Sequence, residues 1–206
     1  MMRIIRVLLL FVFGATLLAA APRTVVFYGD SLTAGYGLDD AAGEAYPALI
    51  QKRIDDAGLD WRVVNAGLSG DTTSGGLRRL DWVLRRPADI FVLELGANDG
   101  LRGLPVEMVR QNLNAIIDRV LAKNPATKVM LAGMKMPVNM GDYARDFDAV
   151  FPEIARERDL PLIPFLLDGV GGVAALNLPD GIHPNVAGHR RVADNVWPVL
   201  APLLQD

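Results

Sequence analysis

From residue 24 onward, short runs of β-branched and aliphatic residues alternate with longer stretches in which apolar positions recur every three to four residues. Runs of the first kind suit strands covered on both faces, and stretches of the second kind suit helices with one buried side. The strands expected are Thr24 to Tyr28, Arg62 to Asn65, Asp89 to Leu95, Lys128 to Ala132 and Leu160 to Phe165. The clearest helix is expected from Val106 to Lys123, where Val109, Leu113, Ile116, Ile117, Val120 and Leu121 form one stripe and Asn124-Pro125 ends the run. Further helices are expected near residues 44 to 57, 74 to 85, 143 to 158 and 186 to 203. This alternation predicts a parallel sheet between two layers of helices, a three-layer α/β/α domain. No linker, repeat or low-complexity stretch interrupts it, so residues 22–206 are expected to form a single domain.

The segment before residue 22 follows another pattern. Arg3 and Arg6 precede an apolar run from Val7 to Ala21, which closes in Ala19-Ala20-Ala21-Pro22. Charged start, greasy middle and small-residue end are the order of a secretory signal peptide. About 15 apolar residues is also short against the roughly 18 or more of a spanning helix. Residues 1–21 are therefore expected to be a signal peptide, and the mature protein to be periplasmic or secreted with no membrane anchor after processing. Pro22 leaves the exact cleavage bond open.

Composition narrows the chemistry. A chain of 206 residues with 51% hydrophobic and 22% charged residues and a mean hydropathy of +0.24 should fold around a core. Its formal net charge of -3 drops to -5 without Arg3 and Arg6, which offers no basic footprint for nucleic acid. The absence of cysteine excludes disulfides, thiolate metal sites, a cysteine nucleophile and a lipidated N-terminal cysteine. With only two histidines, His183 and His189, a zinc site is poorly supported. The serines number three, at positions 31, 69 and 74, so few side chains remain for nucleophilic or acid-base work.

In open parallel sheets, ligands bind beyond the carboxyl ends of the strands, where the strand order reverses. The first expected strand is followed by Gly29-Asp30-Ser31-Leu32, the second by Ala66-Gly67-Leu68-Ser69-Gly70-Asp71, and the third by Gly96-Ala97-Asn98-Asp99. A glycine-rich loop after the fifth leads to Asp180-Gly181-Ile182-His183-Pro184. Acyl transfer needs a nucleophile, a base to take its proton, a group to orient that base, and donors aimed at the developing oxyanion. These loops contain all of those residue types. Ser31 lies where a strand turns into a helix, with Gly29 allowing a tight approach. His183 is the natural base, because imidazole changes charge near neutral pH. Asp180 is close enough in sequence to accept its Nδ1 proton, and Pro184 keeps His183 out of the α region. The backbone N–H of Ser31, the backbone N–H of Gly67 and the amide of Asn98 are the candidate oxyanion donors.

Taken together, the four blocks resemble those of the SGNH (GDSL-type) hydrolases, in particular the bacterial periplasmic thioesterase, lysophospholipase and arylesterase branch. The resemblance spans essentially the whole expected mature chain. It implies a flavodoxin-like five-stranded parallel sheet, Ser31 as nucleophile, Asp180 and His183 completing a triad, and Ser31, Gly67 and Asn98 as oxyanion hole. It also implies a small-molecule acyl ester or thioester substrate, with no metal and no cofactor. Two positions depart from the branch: Ala97 replaces a common glycine, and His189 stands where a tyrosine is usual.

Other readings of the same residues are weaker. Ser69 and Ser74 fall in a polar turn and helix start. His189 lies within an expected helix beside Arg190 and Arg191, and is expected to be a surface residue. Asp30 and Asp99 are expected to orient amides rather than to bind metal. The run Gly169 to Ala174 fits G-x-G-x-x-A but has no long helix after it, so it reads as a flexible loop. G-x-S-x-G is absent, which disfavours an α/β-hydrolase elbow. The acyl pocket is expected to involve Leu101, Met136, Pro137 and Ile182, with Met134 and Met140 nearby and a movable segment at Gly100 to Leu104. The expected activity is hydrolysis of fatty acyl esters and thioesters. The rival readings are a carbohydrate or peptidoglycan O-acetylesterase and a noncatalytic lipid-binding module.

Overall fold

The computed structural model describes residues 22–86 and 88–205. The expected signal peptide lies outside the described residues. In chain order the elements are β1 (Arg23–Gly29), α1 (Ser31–Ala34), α2 (Ala41–Glu44), α3 (Tyr46–Asp56), β2 (Trp61–Asn65), α4 (Thr73–Val83), β3 (Ile90–Glu94), α5 (Ala97–Leu101), α6 (Val106–Lys123), β4 (Lys128–Ala132), α7 (Asp142–Arg158), β5 (Leu162–Ile163) and α8 (Val186–Leu200). The five strands pair in parallel in the order β2-β1-β3-β4-β5, the flavodoxin-like order.

Successive strand residues point to opposite faces, and β1 shows which helices lie on each. The ring of Phe27 meets Tyr46 of α3 edge-on at 5.4 Å, whereas the hydroxyl of its neighbour Tyr28 donates to the Gly76 carbonyl of α4 at 2.5 Å. Helices α3 and α8 therefore pack together on one face, and α4, α6 and α7 on the other. Every residue of the central strand β3 is buried, as a strand covered on both sides requires. The apolar stripe expected of α6 is buried at Val109, Leu113, Ile116, Ile117 and Val120, with Leu121 packed at its edge. Among the described residues, no helix is long and apolar enough to cross a membrane.

The differences from expectation have local causes. The fifth strand shrinks to Leu162–Ile163 because Pro161 and Pro164 bracket it, and proline offers no N–H to a ladder. The last helix ends at Leu200 and tightens into a 3-10 turn over Ala201–Leu204 around Pro202. Helices α1, α2 and α5 have only four or five residues, too few to carry a readable period. Residues Gly100 and Leu101, expected in a movable segment, belong to α5.

Candidate active site

The strand order reverses between β2-β1 and β3-β4, so the loops after β1 and β3 diverge at the same sheet edge. Ser31 leaves the first of these loops and Asn98 the second. Gly29 is required at the tip of β1 for space: a Cβ there would lie 2.2 Å from both Glu94 Oε2 and Thr33 Oγ1. Asp30 then caps α1, its Oδ1 accepting the Leu32 N–H at 3.0 Å. Ser31 is consequently the first residue of a one-turn helix and remains 8% exposed.

The third loop closes onto it from the far end of the chain. Asp180 Oδ1 accepts the N–H groups of Ile182 and His183 at 2.9 and 3.0 Å. These bonds, together with the imidazole itself, hold the Asp180 carboxyl down at about 2. An ionised carboxylate only accepts, so His183 Nδ1 donates to Asp180 Oδ2 across 2.7 Å. In the neutral ring this leaves Nε2 as an acceptor, and it lies 2.9 Å from Ser31 Oγ. Three side chains from the two ends of the chain thus form one hydrogen-bonded series, able to withdraw a proton from the serine hydroxyl. The exposed ring of Tyr36 leans on His183, centroid to centroid 4.6 Å.

The three candidate donors are differently engaged. The Ser31 N–H opens α1 and has no acceptor among the described residues, as expected of a first-turn amide. The Gly67 N–H donates to Asn65 Oδ1 at 2.9 Å, and a Cβ on Gly67 would lie 2.3 Å from the Ala34 nitrogen. That loop therefore packs directly on the helix bearing Ser31, an approach only glycine permits. Asn98 Nδ2 donates to Asp30 Oδ2 at 3.1 Å.

Beneath these groups lies a buried polar layer that the sequence does not announce. Glu94, fully buried at the end of β3, accepts the Asp30 N–H at 3.1 Å and the Thr33 hydroxyl at 2.7 Å on Oε2, while Oε1 has no partner. Burial first, and the Asp30 charge second, push its carboxyl well above the usual range. Burial also raises Asp30, to about 6, against the opposing bonds from Leu32 and Asn98. Arg79 ties two strand ends together: it donates to the carbonyls of Ala66 and Gly29, each at 2.9 Å, and pairs with Asp71 at 2.6 Å. Asp99 fixes the start of α4 by accepting both the N–H and the hydroxyl of Thr73. The only sequence signal for Glu94 is a single acid closing an otherwise apolar strand, and for Arg79 there is none. His189 is a correction: it is 1% exposed, and its Nδ1 accepts the Tyr46 N–H at 3.2 Å. Helix α8 turns that side of the residue toward α3, so the neighbouring arginines misled the surface reading.

A cavity of about 590 Å³ opens beside Ser31 and His183. Leu101, Met136, Pro137 and Ile182 all line it, joined by Met134, Val138 and Phe165. Gly171 and Gly172, from the run resembling a dinucleotide loop, form part of its wall. Among the described residues no cluster of histidine and acidic side chains is placed to hold a metal ion.

Residues 27–191 match the GDSL-like Lipase/Acylhydrolase family. The chain belongs to this family. Esterase TesA of Pseudomonas aeruginosa is 45% identical over 188 residues, covering 90% of this chain and 91% of that protein. Thioesterase 1/protease 1/lysophospholipase L1 of Escherichia coli K12 is 39% identical over 197 residues, covering 95% and 91%. The crystal structure of TesA superposes with a TM-score of 0.83 at 43% identity, over 88% of this chain and 99% of that one. In this GDSL-family chain the family match takes in all four strand-end blocks, from Gly29 to His183.

Proposed function

We propose that this protein is a serine esterase that hydrolyses fatty acyl esters and thioesters through an acyl-enzyme on Ser31. The observation that carries the proposal is the 2.9 Å contact between His183 Nε2 and Ser31 Oγ at the mouth of an apolar cavity. Ser31 Oγ attacks the acyl carbonyl as its proton passes to His183 Nε2. Asp180 stabilises the imidazolium and holds the ring's orientation. The Ser31 N–H and the Asn98 amide, through its second hydrogen, receive the oxyanion, joined by the Gly67 N–H as it turns from Asn65 Oδ1, and each such donor typically contributes about 3 to 4 kcal/mol in the transition state. The imidazolium then protonates the departing alcohol or thiol. In the second half, His183 takes a proton from water, hydroxide attacks the acyl carbon, and the carboxylate leaves as Ser31 regains its proton.

The volume of about 590 Å³ and the apolar lining of the cavity favour a fatty acyl chain over acetyl. Residues 1–21 supply the export signal in this reading, so the enzyme works in the periplasm or outside the cell. N-terminal sequencing of the exported protein tests that assignment. The activity is tested with Ser31→Ala, which should abolish turnover of p-nitrophenyl esters and labelling by a fluorophosphonate while leaving the circular dichroism spectrum unchanged. Retained turnover would exclude Ser31 as nucleophile, and faster acetyl than dodecanoyl turnover in the parent would favour an O-acetylesterase.

A further inference from the structure

A second groove, of about 640 Å³, runs along the edge of the sheet over β1 and β2 as far as Asn65 and Ala66, and shares no lining residue with the cavity at Ser31. Its floor is set by register: Thr24 pairs with Arg62 and Val26 with Val64, so these four side chains share one face of β1 and β2. That is the face of Tyr28, which α4 covers, but along β2 the groove stays open from Arg62 to Ala66, with Trp82 and Val83 from the end of α4 in its wall. The result is a trough with valines at its base and Arg62, Arg85 and Arg86 around it. Trp82, 66% exposed, stands in its wall with the Arg85 guanidinium 5.1 Å from the ring.

The charge of this trough runs against that of the chain. The protein is acidic overall, yet no aspartate or glutamate among the described residues lines the groove. Nor do Arg62, Arg85 and Arg86 form an ion pair there with any described carboxylate, and the hydrogen bond of Arg85 goes to the Trp82 carbonyl in the last turn of α4, the helix it follows. An apolar floor under unpaired guanidinium groups fits a molecule with an alkyl chain and an anionic head. Because the apolar part is recessed rather than protruding, it suits a single chain lying in the trough and not the surface of a bilayer.

We propose that this groove is a second binding site for one long-chain carboxylate, separate from the acyl cavity. The choice of a fatty carboxylate rests on the proposed reaction, which releases one. The carboxylate is held by the three guanidinium groups, the alkyl chain lies over Val26 and Val64, and Trp82 closes one side.

Trp82 also provides the readout. Dodecanoate bearing a nitroxide, kept below its aggregation concentration, should quench the fluorescence component that Trp82→Phe removes, and the quenching should saturate. It should persist in Ser31→Ala, since this site does not use the nucleophile. In the triple variant R62Q/R85Q/R86Q, half-saturation should require at least about tenfold more dodecanoate, the loss expected when charge-assisted bonds go. Ester turnover by that variant should stay near the parent level, which also reports its fold. Equal affinity in the triple variant, equal affinity for dodecyltrimethylammonium, or equally effective competition by acetate would each overturn the proposal. Quenching seen only with vesicles of phosphatidylglycerol would overturn it in favour of a membrane-facing patch. Failure of ester hydrolysis in the parent would overturn the proposed reaction and leave the binding result to stand by itself.

Discussion

Asn98 and Asp30 are joined by a 3.1 Å hydrogen bond from the Asn98 amide to Asp30 Oδ2, while the other oxygen of the same carboxylate caps the helix that begins at Ser31. One buried group thereby fixes both a candidate oxyanion donor and the proposed nucleophile. Asp30→Asn preserves the volume but can offer an acceptor to only one of the two donors. It turns an NH2 toward either Leu32 or Asn98. The expected result is a fall in kcat of about 10- to 100-fold, below the roughly 100- to 1000-fold of losing an oxyanion donor outright because the amide is misplaced and not removed, with KM little changed. Steady-state kinetics on one aryl ester checks this, and an unchanged kcat would remove Asp30 from any positioning role.

Tyr36 presents its ring to the imidazole of His183 at 4.6 Å, tilted by 45°. In the proposed reaction His183 becomes an imidazolium in the transition state, and the ring's electron-rich face would stabilise it by about 0.5 to 1 kcal/mol at an exposed site. Tyr36→Phe should therefore act like the parent, whereas Tyr36→Ala should lose about two- to fivefold in kcat/KM, a factor that follows from those energies. Equal activity of the alanine and phenylalanine variants would show that the ring contributes nothing to the reaction.

The contacts behind these two predictions differ in how far the sequence discloses them. Ser31 and Asn98 stand just past the ends of β1 and β3, and the alternation of strand and helix is enough to bring such ends to one edge, whereas Asp180 reaches that edge through the long loop between β5 and α8. The pairing of Asp180 with His183 is likewise local, since they are three residues apart. Glu94, Arg79 and His189 act across 64, 50 and 143 residues of chain, on Asp30, Gly29 and Tyr46. No periodicity encodes such distances, so a buried acid passes unmarked within an expected strand and a buried histidine reads as part of a basic surface. The shortened β5 was readable in principle from its two prolines, whereas α1, α2 and α5 were too brief to show a pattern.

Acyl-chain selection should be adjustable at Gly100, whose added Cβ would lie 2.3 Å from Met136 Sδ. Because the obstructing atoms are the flexible end of a methionine, the thioether can yield, and Met136 and Leu101 both line the proposed acyl cavity. Gly100→Ala should push Met136 into that space. Turnover of dodecanoyl esters should fall relative to butanoyl esters, with melting temperature nearly unchanged. A uniform loss across all chain lengths would place the effect on Asn98, two residues earlier, rather than on the cavity.

Stability should depend on pH through two buried groups of opposite sign. Burial lowers His189 to about 4, with the nearby His183 charge adding to the effect, and its unprotonated Nδ1 accepts the Tyr46 N–H. A depressed folded value means that its contribution is complete above the unfolded value of about 6.5 and is lost as pH falls through about 4. Asp30 runs the other way. Raised to about 6, its contribution is complete below the unfolded value of about 3.9 and is lost as pH rises through about 6. His189→Gln retains an acceptor for Tyr46 but does not titrate. The stability advantage of the parent over this variant should therefore shrink between pH 7 and pH 4, by on the order of 3 kcal/mol at most. For Asp30→Asn the same comparison should move in the opposite direction, the parent gaining on the variant as pH falls from 7 to 4. Urea melts of the three proteins at several pH values separate the two contributions, and a pH-independent gap between the parent and His189→Gln would contradict a neutral buried ring.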